Sequence, residues 1–301
     1  RFMWPTRATV DWFVQQARDF RAEAILVGAP HPLTGAIRRL QTELVVPVGV
    51  LCHGAEITIP AVVPGLRTWL RRTLRRADAL FTVSHYTQGK VNRLTGREVT
   101  WIGAGVDVDN FIPAAEPPGN DPPIVGCVSR LVPRKGQHRL IAAAQRLRER
   151  GTEVELLIIG KGRLEARLRR LAERSGVSVR FEIDVPWSQL PNLYQSMDVF
   201  CMPCRSRWGG LEVEGLGLVF LEAAAAGLPV LAGSSGGSPE TVIPGETGFV
   251  VHSVNDICDG LELLLEDRDA AHQIGAKGRC RVVEEYVWDR VVARLDDGFR
   301  S

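Results

Sequence analysis

The sequence predicts an α/β protein built as two parallel-sheet domains. Three observations carry this reading. Short apolar runs alternate with amphipathic helical stretches, a loop rich in Pro, Ala and Gly at 114–123 interrupts the alternation, and 301 residues suffice for two domains of ordinary size. The expected division is a partial first domain over 1–113, a linker over 114–123, a second domain over 124–286 and a C-terminal helix over 287–301 packing back toward the first domain.

In the first domain, Val10 to Phe20 is amphipathic, Ala24 to Gly28 is a short apolar strand, Leu33 to Gln41 is helical, and Val45 to Cys52 is a β-rich run ending at His53-Gly54. Parallel sheets bind ligands beyond the carboxyl ends of their strands, which is where His53 falls. Pro64 to Arg76 is a basic helix carrying Arg67, Arg71, Arg72, Arg75 and Arg76, with Trp69, Leu70 and Leu74 between them. It reads equally as a solvated helix face and as an attachment to an anionic membrane surface. Ala79 to Val83 is a strand, Ser84 and Thr87 can cap the following helix, and Val99 to Gly103 is a further strand. Asp107 and Asp109 stand at the mouth of the linker, where a turn role outweighs a metal role.

The second domain opens with strand Ile124 to Ser129 and the loop Arg130-Leu131-Val132-Pro133-Arg134-Lys135-Gly136, followed by a helix through Arg150. Cations beside free backbone amides in a strand-to-helix loop suit a diphosphate. Strands at 154–159, 177–181, 199–202, 229–232 and 248–251 follow, with helices between and after them. The Gly-x-Gly-x-x-Gly dinucleotide fingerprint and the P-loop are both absent, which removes support for dinucleotide and kinase readings.

The chain is organised around Glu214 to Ala223. Two carboxylates, Glu214 and Glu222, lie eight positions apart, the first before a glycine-flanked turn and the second inside an Ala-rich helix. Gly217 permits close backbone approach, and the helix beginning near it turns its free N–H groups and positive dipole end outward, which makes an anion pocket with a carboxylate on either side. The helix is too apolar to lie on the surface, so Glu222 must be paired or ligand-bound, because a bare buried carboxylate is unfavourable. Dipole compensation is the plainer account of two glutamates at a helix start, but it does not suit a long uncharged run.

A net charge of +2 argues against nucleic acid as a general partner, and no run of about 18 apolar residues offers a membrane span. The six cysteines are scattered over apolar segments, which suggests reduced thiols in a cytosolic protein. Cys201 and Cys204 have C-x-x-C spacing, yet no second pair or His cluster completes a metal site. The chain begins with Arg1 and reads as starting inside a longer protein.

These motifs resemble the retaining, nucleotide-sugar-dependent glycosyltransferases of family 4, most of all the bacterial phosphatidylinositol-monomannoside mannosyltransferases that use GDP-mannose. The resemblance rests on Ser129 to Gly136, the Glu-x7-Glu motif of Glu214 and Glu222, Ser235 to Glu240, Gly245 to Phe249, and, for the subfamily, Pro203 to Gly217 with Cys52 to Glu56. It implies the GT-B fold of two Rossmann-like domains, an acceptor-side first domain and a nucleotide-sugar-binding second domain. Arg130 and Lys135 would hold the donor diphosphate, Glu222 the ribose hydroxyls, Glu214 the transferred sugar, and the amides of Gly215 to Leu218 the same anion. His53 would reach across the cleft to the anomeric centre; its plainer role is bracing a strand end. The resemblance further implies a lipid or glycolipid acceptor, no cofactor and no metal, retention by front-face attack, and a cytoplasmic protein peripheral to the inner membrane face.

The chain departs from the family pattern at three places. The expected N-terminal strand and glycine-rich loop are not in the sequence, Phe181 to Val185 replaces the usual turn near the base pocket, and Trp208 stands where relatives carry Gly. These departures keep open an inactive nucleotide-binding remnant, and a sugar-nucleotide epimerase on the same fold is the other enzyme reading.

Overall fold

The computed structural model describes residues 4–300, which divide into two compact units. One comprises Arg1–Ala104, Trp208–Leu216 and Asp289–Ser301, and the other Gly105–Arg207 and Gly217–Trp288. The segment 114–123, expected as a linker, lies inside the second unit. Asn120 Nδ2 donates to Ser196 O at 3.0 Å and to Asp198 Oδ2 at 2.8 Å, and Arg268 donates to Asn120 O at 3.0 Å.

In chain order the first unit runs α1 (Arg7–Phe20), β1 (Ile25–Val27), α2 (Ile37–Leu44), β2 (Val48–Cys52), α3 (Ala55–Thr58), α4 (Pro64–Leu74), β3 (Ala79–Thr82), α5 (His85–Thr95) and β4 (Thr100–Trp101). Its strands pair in parallel in the order β1-β2-β3-β4. Several expected bounds shift for local reasons. A 3₁₀ turn over Leu33–Ala36 precedes α2, whose end is closed by Val45 at φ 55 with its N–H on Gln41 O, so the strand starts only at Val48. The strand expected over 99–103 is reduced to two residues at the sheet edge, and Gly103 leaves the extended region at φ 75. Ser84 caps α5 by accepting from Thr87 N at 3.2 Å.

Side chains alternate across β2 and β3, as strand geometry requires. Val48, Val50 and Leu80 join Val10, Val14, Ile37, Leu40, Leu70 and Leu74 in one core layer, all buried. Each such aliphatic contributes about 1.5–3 kcal/mol when fully removed from water.

The second unit runs β5 (Ile124–Val128), α6 (Gln137–Glu149), β6 (Glu155–Ile159), α7 (Glu165–Ser175), β7 (Ser178–Glu182), α8 (Leu190–Gln195), β8 (Val199–Met202), α9 (Leu218–Ala225), β9 (Val230–Gly233), β10 (Gly248–Val251), α10 (Val254–Glu266) and α11 (Arg268–Glu285). All strands are parallel, in the order β7-β6-β5-β8-β9-β10. The chain therefore proceeds outward from β5 on one side, then returns to start again at β8. Such a reversal opens a crevice at the carboxyl ends of the two central strands, where ligands of doubly wound sheets bind.

The last helix, α12 (Trp288–Arg300), lies from Asp289 onward in the first unit and covers the other face of its sheet. Ala79, Phe81, Ile102 and Val291 form that layer, with Leu295 and Phe299 against it. Gly49 makes room for it, since a Cβ there would fall 2.7 Å from the Phe299 and Phe81 rings. No described helix is long and apolar enough to cross a membrane.

Candidate functional site

In the first unit, β2 delivers His53 to the sheet's carboxyl end, where it is exposed. Three contacts fix this strand end. The Glu56 carboxylate accepts from the N–H groups of His53 and Gly54, Thr87 Oγ1 donates to His53 O at 3.3 Å, and His53 Nε2 lies 2.9 Å from Gly28 O. A carbonyl only accepts, so in neutral His53 the proton sits on Nε2 and Nδ1 is left as an acceptor. The bracing role expected as the plainer reading of His53 is thus present in the geometry.

The segment Trp208–Leu216 belongs to this same unit. Thr58 Oγ1 donates to Leu211 O at 2.7 Å, and a Cβ on Gly54 would come 3.3 Å from Gly215 Cα. Gly215 approaches so closely that a side chain there would meet the His53 carbonyl oxygen. Glu214, buried, is therefore placed in the same unit as the His53 loop. The motif is divided: Glu214, Gly215 and Leu216 fall in the first unit, and Gly217, Leu218 and Glu222 in the second.

In the second unit, the loop after β5 and the loop after β8 flank the reversal of strand order. Arg130 is exposed and Lys135 is buried, with its ammonium 3.5 Å from the Met202 sulfur. Gln137 Nε2 ties the loop to itself through Ser129 Oγ at 2.7 Å and Arg130 O at 3.0 Å. Gly136 must be glycine on two counts: its φ is 82, and a Cβ would strike the Pro203 carbonyl of the neighbouring loop. Arg205 N donates to Arg134 O at 2.9 Å, and Arg139, almost fully buried, donates to Pro203 O at 3.3 Å and His252 O at 2.6 Å.

Gly217, at φ 94, turns the chain into α9 without a side-chain cap. Phe220 N donates back to Gly217 O at 3.0 Å, while the N–H groups of Leu218 and Val219 have no acceptor within the helix and lie at its positive dipole end. Glu222 lies on the helix's second turn, 8% exposed among fully buried alanines and leucine, and Tyr194 Oη donates to its Oε2 at 2.9 Å. Burial pushes its carboxyl above the ordinary glutamate range, and the Tyr194 hydrogen bond offsets part of that. Tyr194 itself is raised well above a free phenol, by burial first and by Glu222 second.

Two features had little signal in the sequence. Tyr194 is one, although a tyrosine in an apolar stretch before a strand implies a buried hydroxyl in need of a partner. The other is a cavity of about 290 Å³ beyond the ends of β5, β6 and β7, lined by Ser129, Gly160, Lys161, Asp184, Val185 and Leu190. Asp184 stands there at φ 56 and pairs with Lys161 at 2.5 Å, so the unusual turn after β7 is part of this cavity's wall. Among the described residues no group of three or more His, Cys, Asp or Glu side chains could hold a metal ion, and all six cysteines are free.

Comparison with known proteins gives the family to which the chain belongs. The model of the family "Glycosyl transferases group 1" matches residues 108–281. A GDP-mannose-dependent alpha-(1-6)-phosphatidylinositol monomannoside mannosyltransferase of Mycobacterium tuberculosis is 39% identical over 293 residues, covering 93% of this chain and 76% of the relative. A GDP-mannose-dependent monoacylated alpha-(1-6)-phosphatidylinositol monomannoside mannosyltransferase of Corynebacterium glutamicum is 36% identical, covering 99% of this chain and 82% of its own. Among solved structures, sucrose-phosphate synthase from Thermosynechococcus elongatus superposes with a TM-score of 0.78 at 23% identity, over 97% of this chain and 78% of that one, which shows the GT-B fold.

Proposed function

Because this chain belongs to the group 1 glycosyl transferase family, we propose that it is a retaining mannosyltransferase moving mannose from GDP-mannose to a phosphatidylinositol mannoside. That it is a glycosyltransferase follows from the family; the donor base, sugar and acceptor are supported by the names of relatives 36% and 39% identical to it. The observation that carries the donor reading lies in the second unit: Arg130 and Lys135 on the loop at the strand reversal, and the underpartnered carboxylate of Glu222.

In this reading the diphosphate is held by Arg130, Lys135 and the first amides of α9, which stabilise charge as it develops on the departing nucleotide. Glu222 accepts from the ribose hydroxyls, and the cavity beside Asp184 and Val185 receives the base. Glu214 binds hydroxyls of the transferred sugar, and His53 serves the sugar near its anomeric carbon through Nδ1, Nε2 being engaged with Gly28 O.

The acceptor reading includes a membrane surface. Arg67, Arg71 and Arg72 on α4 and Arg75 and Arg76 just after it are all exposed, and Ile59, Val62 and Val63 ahead of that helix, with Leu66 in its first turn, are exposed at 45–58%. Apolar residues beside a basic helix suit the interface of an anionic bilayer, the apolar groups entering and the arginines meeting phosphates. We place the protein at the inner face of the membrane, on the cytoplasmic side, which the free cysteines support.

The test is calorimetric titration with GDP, UDP and ADP, repeated on Glu222→Ala, together with mannose transfer from GDP-mannose. Selective GDP binding lost in the variant, with turnover in the parent, supports the reading. Binding without turnover identifies a nucleotide-binding remnant, and equal binding by the variant removes Glu222 from the donor site.

A further inference from the structure

A cavity of about 810 Å³ in the second unit is lined by His138, Arg167, Arg170, Arg174, Arg205 and Arg207, over an apolar floor that includes Leu168. Among the described residues no acidic side chain lines it. Arg167, Arg170 and Arg174 stand at i, i+3 and i+7 on α7 and so share one stripe of the helix. The side chains of these three and of Arg205 make no hydrogen bond or ion pair with any described residue. The same helix treats Arg169 differently: its guanidinium bonds Glu165 at 3.0 Å and stacks 4.6 Å from the Phe181 ring.

Like charges on one helical stripe repel, and a solvated helix face ordinarily intersperses carboxylates. Here the cations converge from α7 and from the loop after β8 onto one concave surface. Half-buried His138 registers the resulting potential. Its pKa is pushed below the ordinary histidine value by burial first, then by Arg205, Arg139 and Arg167. Guanidinium groups grip phosphate oxygens two at a time, and an apolar floor strengthens each such contact by limiting water.

We infer that this cavity, to which Pro133 of the loop after β5 contributes but Arg130 and Lys135 do not, is a second anion site, and that it takes a ligand bearing phosphate groups with more than one negative charge. The ligand is either a free phosphate compound or the headgroup of an anionic lipid.

The experiment uses the full chain, with the His138 imidazole followed by NMR. Inorganic pyrophosphate is titrated into the parent, Lys135→Ala and Arg170→Ala/Arg174→Ala; in parallel, vesicles of phosphatidylglycerol or phosphatidylcholine are sedimented with each protein. Arg170 and Arg174 are exposed on a helix, so alanine keeps the fold. Pyrophosphate bound in the cavity raises the His138 pKa in the parent and in Lys135→Ala, and binds at least tenfold more weakly in the double variant, which assigns a free phosphate compound. A tenfold loss confined to phosphatidylglycerol vesicles assigns a lipid headgroup. A double variant indistinguishable from the parent in both arms overturns the inference, as does a His138 response abolished by Lys135→Ala alone.

Discussion

Tyr194→Phe isolates the pairing that keeps Glu222 inside the second unit. The ring is fully buried, edge-on to Phe111 at 5.5 Å and 5.8 Å from Phe200, and phenylalanine preserves those contacts while removing only the hydroxyl. A hydrogen bond to a charged acceptor contributes about 1.5–3 kcal/mol, whereas one between neutral partners contributes about 0.5–1.5. Burial already holds the Glu222 carboxyl above the ordinary value of 4.5. The folded chain therefore binds a proton more readily than the unfolded chain, and stability falls as pH climbs from about 4.5 through the folded value. Removing the hydroxyl raises that folded value further. The variant should thus lose about 2 kcal/mol at pH 8, seen as about 4–8 °C in the melting temperature of a domain this size, and about half as much at pH 4, where the carboxyl is neutral in both states. Differential scanning calorimetry at the two pH values decides the matter, and equal losses at both refute the account of a buried charge.

Lys135→Ala should lower kcat of mannose transfer by about 10²–10³ while changing the donor KM less, because its cation acts on charge that develops as the nucleotide leaves. Gly136→Ala combines a left-handed φ of 82 with overlap on the Pro203 carbonyl, so it should reduce stability by more than about 2 kcal/mol in urea titration. Arg71→Ala/Arg72→Ala should weaken binding to phosphatidylglycerol vesicles by about 30-fold, at about 1 kcal/mol per arginine, and leave binding to neutral vesicles unchanged in sedimentation. Ribose hydroxyls on Glu222 favour its charged form, so GDP binding should release protons at a pH between 4.5 and the raised folded value. Calorimetry in two buffers of different ionisation enthalpy reads that release, and its absence in Glu222→Ala ties it to this group.

Most strands were legible because a parallel sheet covered on both faces leaves continuous apolar runs, as at Val199–Met202 and Gly248–Val251. The edges were less so. At β4, packing of Ile102 against α12 and the turn at Gly103 shorten a strand that composition alone extends. The loop from Arg130 to Gly136 was legible as a strand-to-helix connection, and its glycine is required by the local backbone. What a sequence does not carry is which unit a loop joins. Trp208–Leu216 follows a strand of the second unit and packs in the first, through contacts with Thr58 and Gly54 that are more than 150 residues away.

The buried charges of the second unit differ in how fully the fold accounts for them. Arg139 is as buried as Glu222, yet its guanidinium reaches the carbonyls of Pro203 and His252, two strand-end loops that it holds together. Its partners belong to the fold, and the fold explains it. Glu222 has room for about four donors on its two oxygens and receives one, from Tyr194. Burial disfavours its charge, and a leucine at that position would suit the surrounding helix better. On the function proposed above, a carboxylate kept there, beside the first amides of α9, sacrifices stability for donors that arrive with a ligand. The hydroxyls of a sugar nucleotide are such donors, and a diphosphate is the anion those amides would meet.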